Sequence, residues 1–553
     1  MLRLRCLNTF IHPVYKNQKG KIMRKFALLA AMSVALMAGT AAFAEDAPRS
    51  GGVINFVAPY GDSFSTLDIQ SSPATQDEFY AKAIHRSLYD WDANQSKPVL
   101  GLATDVSVSD DKLVYTYKLR QDAFFHDGKP LTADDIIWSY TRIMDPKKAM
   151  PPARYIAEIK GADEYAQGKA KEISGLKKID DHTLEITLKQ PINPGYQFMY
   201  NNTAIYPAGQ GDSEEFQRHP IGLGPYKFAE YIPGSRLTVD KWDKYYDKGK
   251  PYADKINIMI MGDAAARDVA FRNKEIDVAV LGPAQYSTYR ENPELAKNML
   301  EVAEAYTRTV GFNPDFKPFQ DKRVRQAVNY AIDSDLIIKR LVKDKAYRAV
   351  SWLPNSSPAF DKDAKPYPYD PEKAKALLAE AGYPDGFEFE LTATQNESWG
   401  LTIVQAIIPM LAKVGIKVKA KPVEASVLAD VVPAGNFQAY MWSLESGPDA
   451  LTAMQCFYST TPQSACNYQK FSNAEFDKIV DAAKAAKTEE EKNELLKKAN
   501  NLLQEEAPVW FFNYNKAVLA HQPWLHGLQP NAAEIAIQSY EKLWVDDTVP
   551  SGR

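Results

Sequence analysis

The chain has 553 residues, 45% of them hydrophobic, with 66 Lys and Arg against 70 Asp and Glu. That length exceeds one ordinary core and that apolar share is enough to fill two or three, so a disordered chain is excluded. Removing the seven cations of residues 1–44 leaves 59 basic against 70 acidic residues, a net charge near −11, and no basic stripe stands out, which excludes a body built to grip nucleic acid.

Residues 1–44 carry Arg3, Arg5, Lys16, Lys19, Lys21, Arg24 and Lys25 and no acid, and the Ala-rich run from Phe26 ends in Ala42-Phe43-Ala44. This is the pattern of a cleavable export signal, with a mature start expected at Glu45. Met23 opens a complete signal by itself, so residues 1–22 are expected to precede the natural start. A membrane-anchoring helix is the weaker reading, because no second apolar run of about 20 residues follows. No cysteine stands at the cleavage point to carry a lipid.

The segment Lys112–Leu119 alternates, with Leu113, Tyr115, Tyr117 and Leu119 on one face, which predicts a half-buried strand. Asp127-Gly128 is turn chemistry, and Thr132 with Asp135 predicts a capped helix start before Ile136, Ile137, Tyr140, Ile143 and Met144 at helical spacing. Between them, His126 has the look of an active-site residue. A histidine followed directly by an aspartate does not form the oriented base of a triad, no Gly-x-Ser-x-Gly elbow exists, and no ligand cluster surrounds it, so a scaffolding role is expected.

Further on, Asp321 is placed to cap a helix burying Val324, Ala327, Val328 and Ala331. Asp370, Pro371 and Gly382 supply the cap, first turn and stop of another. In the charged stretch 484–506, Thr488 and Glu491 form a capping box and Leu495, Ala499, Leu502 and Leu503 are expected to be buried, with the charges a solvated face. Residues 507–513, Ala-Pro-Val-Trp-Phe-Phe-Asn, predict a buried strand. Cys456 and Cys466, the even pair left once Cys6 departs with the leader, are expected to form a disulfide; a loop that short stabilises by roughly 3 kcal/mol. A reactive thiol or metal pair is the alternative, without a Cys-x-x-Cys or clustered histidines to support it.

Six segments in order carry a resemblance. They are GGVINF followed by STLDIQ; VYTYKLRQDAFFHDGKPLTADDIIWSYTRIMDP; PIGLGPYKFAEY at 220–231; NKEIDVAV at 273–280; VGFNPDFKPFQDKRVRQAVNYAID at 310–333; and YDPEKAKALLAEAGYPDGFEFEL at 369–391. Together they resemble the extracellular solute-binding proteins of family 5, the dipeptide- and oligopeptide-binding subunits of ABC importers. The resemblance implies an α/β, bilobal periplasmic-binding-protein fold of class II type with an extra domain, three structural domains around a ligand cleft. Domain I would combine 45–90, 213–305 and 525–553; domain II would be 91–212 and domain III 306–524. It also implies a periplasmic monomer without cofactor or metal, performing no catalysis, that closes on a peptide-like solute and delivers it to permease subunits in the inner membrane.

In the family a Trp-x-x-Asp segment holds the ligand's α-ammonium; here it reads Trp442-Ser443-Leu444-Glu445, keeping the charge on a side chain one methylene longer. Asp449 is a substitute anchor. Trp399 and Trp442 are expected walls, and Ser72, Pro73, Ala74 and Thr75 fall in the loop that the resemblance assigns to main-chain contacts. The dipeptide-selective members clamp the ligand carboxylate with an arginine near 392–400, but no arginine occurs from Ala349 to Ser551, so a carboxylate fork has to come from elsewhere in the chain. Relatives on this scaffold also carry nickel, haem, opines and oligosaccharides. Two rival classes are an exported hydrolase with a carboxylate pair and a chaperone-like or signalling peptide binder.

Overall fold

A computed structural model describes residues 47–553 except 73–74, 149, 396–398, 530, 533–537 and 553, without the side chains of 425 and 426. The chain divides into Met1–Pro48 and Arg49–Arg553, and all that follows concerns the second unit. The expected export signal lies outside the described residues.

Three larger sheets organise it. In the first, Val53–Ala58 pairs in parallel with Lys255–Ile260, Val53 opposite Lys255, and the antiparallel strands Arg236–Lys241 and Tyr226–Ile232 follow. The second is antiparallel, in the order Ala103–Val108, Val114–Leu119, Thr183–Thr187, Leu176–Asp180. The third runs Val278–Val280, Val509–His521, Met299–Phe312, Ala439–Glu445, Glu388–Thr394, Lys417–Val423, with Ala346–Arg348 beside Val509–His521.

The two long strands of that third sheet thread separate cores. Ala517 and Leu519 join the core of Ile54, Phe56 and Tyr226, whereas Trp510 and Phe512 join that of Val328, Leu391 and Leu411. Because side chains alternate along a strand, Val509 and Phe511 enter a further core with Phe457 and Leu496, and Tyr514 joins them past the register shift between Phe511 and Asn513. The predicted strand from 507 to 513 is therefore apolar on both faces. The second sheet has its own core around Tyr117, Phe125, Ile136 and Tyr140.

Local chemistry explains the predicted helices. Asp135 Oδ2 accepts from the Thr132 amide at 2.7 Å at the head of Ala133–Ile143. Asp321 and Asp370 accept from Arg323 N at 2.8 Å and Lys373 N at 2.9 Å. Gly382 ends the second of these with φ +89°, a left-handed turn for which glycine is suited. Thr488 accepts from Glu491 N at 3.1 Å and starts Glu489–Glu506. One expectation needs correcting there: the helix buries Leu496, Ala499 and Leu503, while Leu495 and Leu502 sit half-buried at its edge. The stripe is turned so that Leu496, rather than Leu495, enters the core shared with Phe476 and Val480.

His126 is a strut. Its Nδ1 accepts from Gly222 N at 3.3 Å and its Nε2 donates to Gly224 O at 3.1 Å, pinning two backbone segments together. Burial holds its pKa down at about 4, so the ring is neutral at ordinary pH.

Candidate ligand-binding cavity

A cavity of about 590 Å³ opens between residues 154–200 and residues 442–469. Its first wall is Arg154, Tyr155, Tyr196 and Tyr200; its second includes Trp442, Glu445, Asp449, the Cys456 and Cys466 pair and Tyr468. Volume and lining, aromatic with a few charges, are those of a small-molecule site.

The second wall is built by the end of a strand. Ala439–Glu445 pairs with Met299–Phe312, Glu445 opposite Tyr306, and Ser446 N continues with a bond to Ala305 O at 2.9 Å. Gly447 then adopts φ +63°, a turn that an L side chain resists, and Asp449 caps the helix Ala450–Gln455. The strand thereby delivers Trp442 and Glu445 to the cavity and the turn keeps the chain from covering them. Trp442 stacks on Tyr468, centroids 6.1 Å apart and planes 21° from parallel.

Glu445 is exposed, and the Tyr200 hydroxyl donates to its Oε1 at 2.9 Å. Tyr155 stacks on Tyr200 at 4.3 Å and receives a bond from Arg154 Nη2 at 2.7 Å. Burial, reinforced by the Glu445 anion, raises the pKa of both tyrosines well above the ordinary range, so both keep their protons. Glu445 and Arg154 thus offer opposite charges to one cavity, and among the described residues no salt bridge joins them to each other. Behind this wall, Glu78 Oε2 is shut away from solvent without a hydrogen-bond partner among the described residues, and burial lifts its pKa to about 7.

The residues singled out in the sequence fall in different places. Glu445, Trp442 and Asp449 line the cavity. Asp449 is buried and bound on both oxygens, by Leu451 N at 3.2 Å and Thr452 Oγ1 at 2.7 Å, and burial raises its pKa. It acts first as a helix cap. Cys456 and Cys466 are joined as a disulfide, Cα atoms 5.0 Å apart, in the cavity wall. Trp399 is half-buried against the core that holds Ile403 and Leu411 and does not line this cavity. Ser72 is buried, its hydroxyl donating to Asp77 Oδ2 at 2.6 Å, and Thr75 is exposed at the start of Thr75–Ile84; neither lines it. Pro73 and Ala74 lie outside the described residues.

Arg154, Tyr155, Tyr200 and Tyr468 were not anticipated. Their only sequence signal is aromatic density, in Arg154-Tyr155 and again at Tyr196 and Tyr200.

The family described as bacterial extracellular solute-binding proteins, family 5 (middle), matches residues 97–465. The chain belongs to this family. The glutathione-binding protein GsiB of Pectobacterium atrosepticum is 30% identical over 523 residues, 92% of this chain and 96% of that one. The Helicobacter pylori periplasmic binding protein DppA, solved with the peptide STSA, superposes with a TM-score of 0.71 at 22% identity, covering 90% of this chain and 99% of its own. The Escherichia coli murein tripeptide binding protein MppA gives a TM-score of 0.69 at 23% identity over 90% and 99%. These likenesses show the fold that the sequence segments imply, the mixed α/β bilobal architecture of family 5.

Proposed function

We propose that this family 5 protein captures short peptides with a free amino end in the cavity of about 590 Å³, and passes them unaltered to an ABC permease. The observation that carries the reading is the Glu445 carboxylate, held by Tyr200 and facing the open cavity with Arg154 on the other wall. Glu445 would take the α-ammonium and Arg154 a ligand carboxylate. The stacked Trp442 and Tyr468 give a flat wall for an extended main chain. The related proteins whose names or titles mention glutathione, STSA and murein tripeptide support the substrate class.

In this reading the protein is a periplasmic monomer and no enzyme. Residues 45–90 with 213–305 and 525–553, residues 91–212 and residues 306–524 are the bodies that close on the solute. Closure is an equilibrium biased by contacts that only the closed form makes. Among the described residues no helix is long and apolar enough to cross a membrane.

Native mass spectrometry of protein purified without denaturation tests the substrate class. A mixture of short peptides is expected in the cleft. A single non-peptide compound, or turnover of offered peptides, overturns the reading.

A further inference from the structure

A second cavity, of about 200 Å³, shares no lining residue with the first. Its walls include Arg267 and Gly282, then Glu304 and Arg308 from Met299–Phe312, Lys345, and Asn515 from Val509–His521. It therefore sits where the two long strands run together, and Tyr306, between Glu304 and Arg308 in sequence, lines the larger cavity instead.

The charge here is unbalanced. Arg267, Arg308 and Lys345 are 8%, 7% and 9% exposed, and Glu304 is the one carboxylate among the lining residues. Glu304 Oε2 is already engaged by Asn515 Nδ2 at 2.6 Å. Arg267 Nη1 donates to the carbonyls of Pro59, Met261 and Gly262 at 3.3, 2.7 and 2.7 Å, and Lys345 Nζ to Lys516 O at 2.6 Å. Arg308 has no such arrangement. Among the described residues its Nε and Nη1 are buried without a partner, as is Arg267 Nε. Asn513, opposite Arg308 across the ladder, leaves both polar side-chain atoms unpartnered as well.

A guanidinium removed from water without an acceptor is strongly unfavourable, and native folds satisfy such groups with an anion, a partner or ordered water. Burial shows its effect on the group: the Arg308 pKa falls to about 10 and that of Lys345 to about 8. Both groups stay charged near neutral pH, and an acceptor that relieved the cost of burying those charges would be bound in turn.

We propose that this second cavity, walled by Arg308, Lys345 and Arg267, is a binding site for one small oxyanion, distinct from the peptide cavity. Three cations against one carboxylate leave an excess of two, suited to a monoanion or dianion. Arginine and lysine together match oxygen-rich anions, the planar fork giving paired bonds and the ammonium a point charge. The volume lies below the roughly 300–1,000 Å³ of drug-sized ligands and holds an inorganic oxyanion or a short carboxylic acid with a few waters. The inference does not depend on the peptide reading.

The test is calorimetric titration of the full mature chain with phosphate, sulfate, acetate and succinate at fixed ionic strength in chloride. One saturable site is expected for at least one of the four. Tighter binding of the tetrahedral anions identifies an inorganic oxyanion, and tighter binding of the carboxylates an organic acid. R308M should weaken binding by about ten-fold or more, since a charge-assisted bond is lost. K345M should weaken it and E304Q, which removes the competing anion, should tighten it. No saturable heat with any of the four, or unchanged affinity in R308M, overturns the proposal. Should R308M fail to melt cooperatively, K345M and E304Q decide: shifts in opposite directions support the site, and parental affinity in both overturns it.

Discussion

Replacing Glu445 with Gln removes one charge while leaving the scaffold around it in place. The Tyr200 hydroxyl donates to Glu445 Oε1 at 2.9 Å, and the Gln carbonyl accepts the same bond, so the wall keeps its shape. What disappears is the anion offered to a ligand ammonium. Hydrogen bonds to charged groups contribute about 1.5–3 kcal/mol, and the expected loss of affinity for a free-amine tripeptide is about 10- to 150-fold. The exposure of Glu445 places the result toward the lower end, because water screens a pair that is incompletely enclosed. The assay is calorimetric titration of parent and Glu445→Gln with one tripeptide and its N-acetylated form. The parent should prefer the free amine, and the variant should lose that preference while binding the acetylated peptide as the parent does. An equal loss for both peptides would mean that Glu445 shapes the wall without reading the ammonium. No loss for either would remove it from the site.

Arg154→Met should weaken peptides with a free C-terminal carboxylate by about 10-fold or more and leave C-amidated ones unaffected, measured in the same way. Cys456→Ser with Cys466→Ser should lower the unfolding free energy in a denaturant titration by about 3 kcal/mol, from the entropy of opening a short loop. Stability should also fall in acid. Burial lowers His85 from 6.5 to about 3 and His126 to about 4, so these rings stay neutral in the fold while the unfolded chain binds protons. Their contribution is complete above about pH 6.5 and is lost as pH falls toward 4, at up to about 1.4 kcal/mol per pH unit for each ring. Glu78 opposes this, because burial raises it to about 7 and its protonated form favours the fold as pH falls through 7 toward 4.5. Urea midpoints from pH 4.5 to 7.5 check the balance, with His126→Gln expected to flatten the slope.

Features settled within a few residues were legible in the sequence. Asp135, Asp321, Asp370 and Thr488 each satisfy an amide two or three positions away, so residue type and spacing suffice to find them. His126 was legible as scaffolding because the partners of a catalytic role were missing, although the Gly222 and Gly224 backbone it holds lies 96 and 98 residues off. Leu495 was misplaced by one position, since a helix of 18 residues carries leucines at 495, 496, 502 and 503 and only packing against Phe476 and Val480 chooses among them. The cavity was half legible. Trp442 and Glu445 came from a resemblance, whereas Tyr200 meets Glu445 across 245 residues and nothing local marks it. Ser72 shows the opposite case: a polar residue in a promising loop whose hydroxyl is satisfied by Asp77 five residues on.

The bond from Tyr200 to Glu445 also bears on how the cavity opens. It joins the two walls, and as a bond to a carboxylate that water still reaches it contributes about 1.5 kcal/mol, a factor of roughly 12 in the closed population of the proposed reading. Lys112 Nζ adds a single bond of 3.3 Å to Ala486 O across the same division of the chain. Contacts this weak hold the walls in register without locking them. A solute that pairs with Glu445 and Arg154 together gains from both only while the walls face one another, and two charge-assisted bonds outweigh the Tyr200 bond several-fold. In the proposed reading, contacts of this strength leave the protein free to reopen, and the captured solute itself supplies most of the bias toward closure.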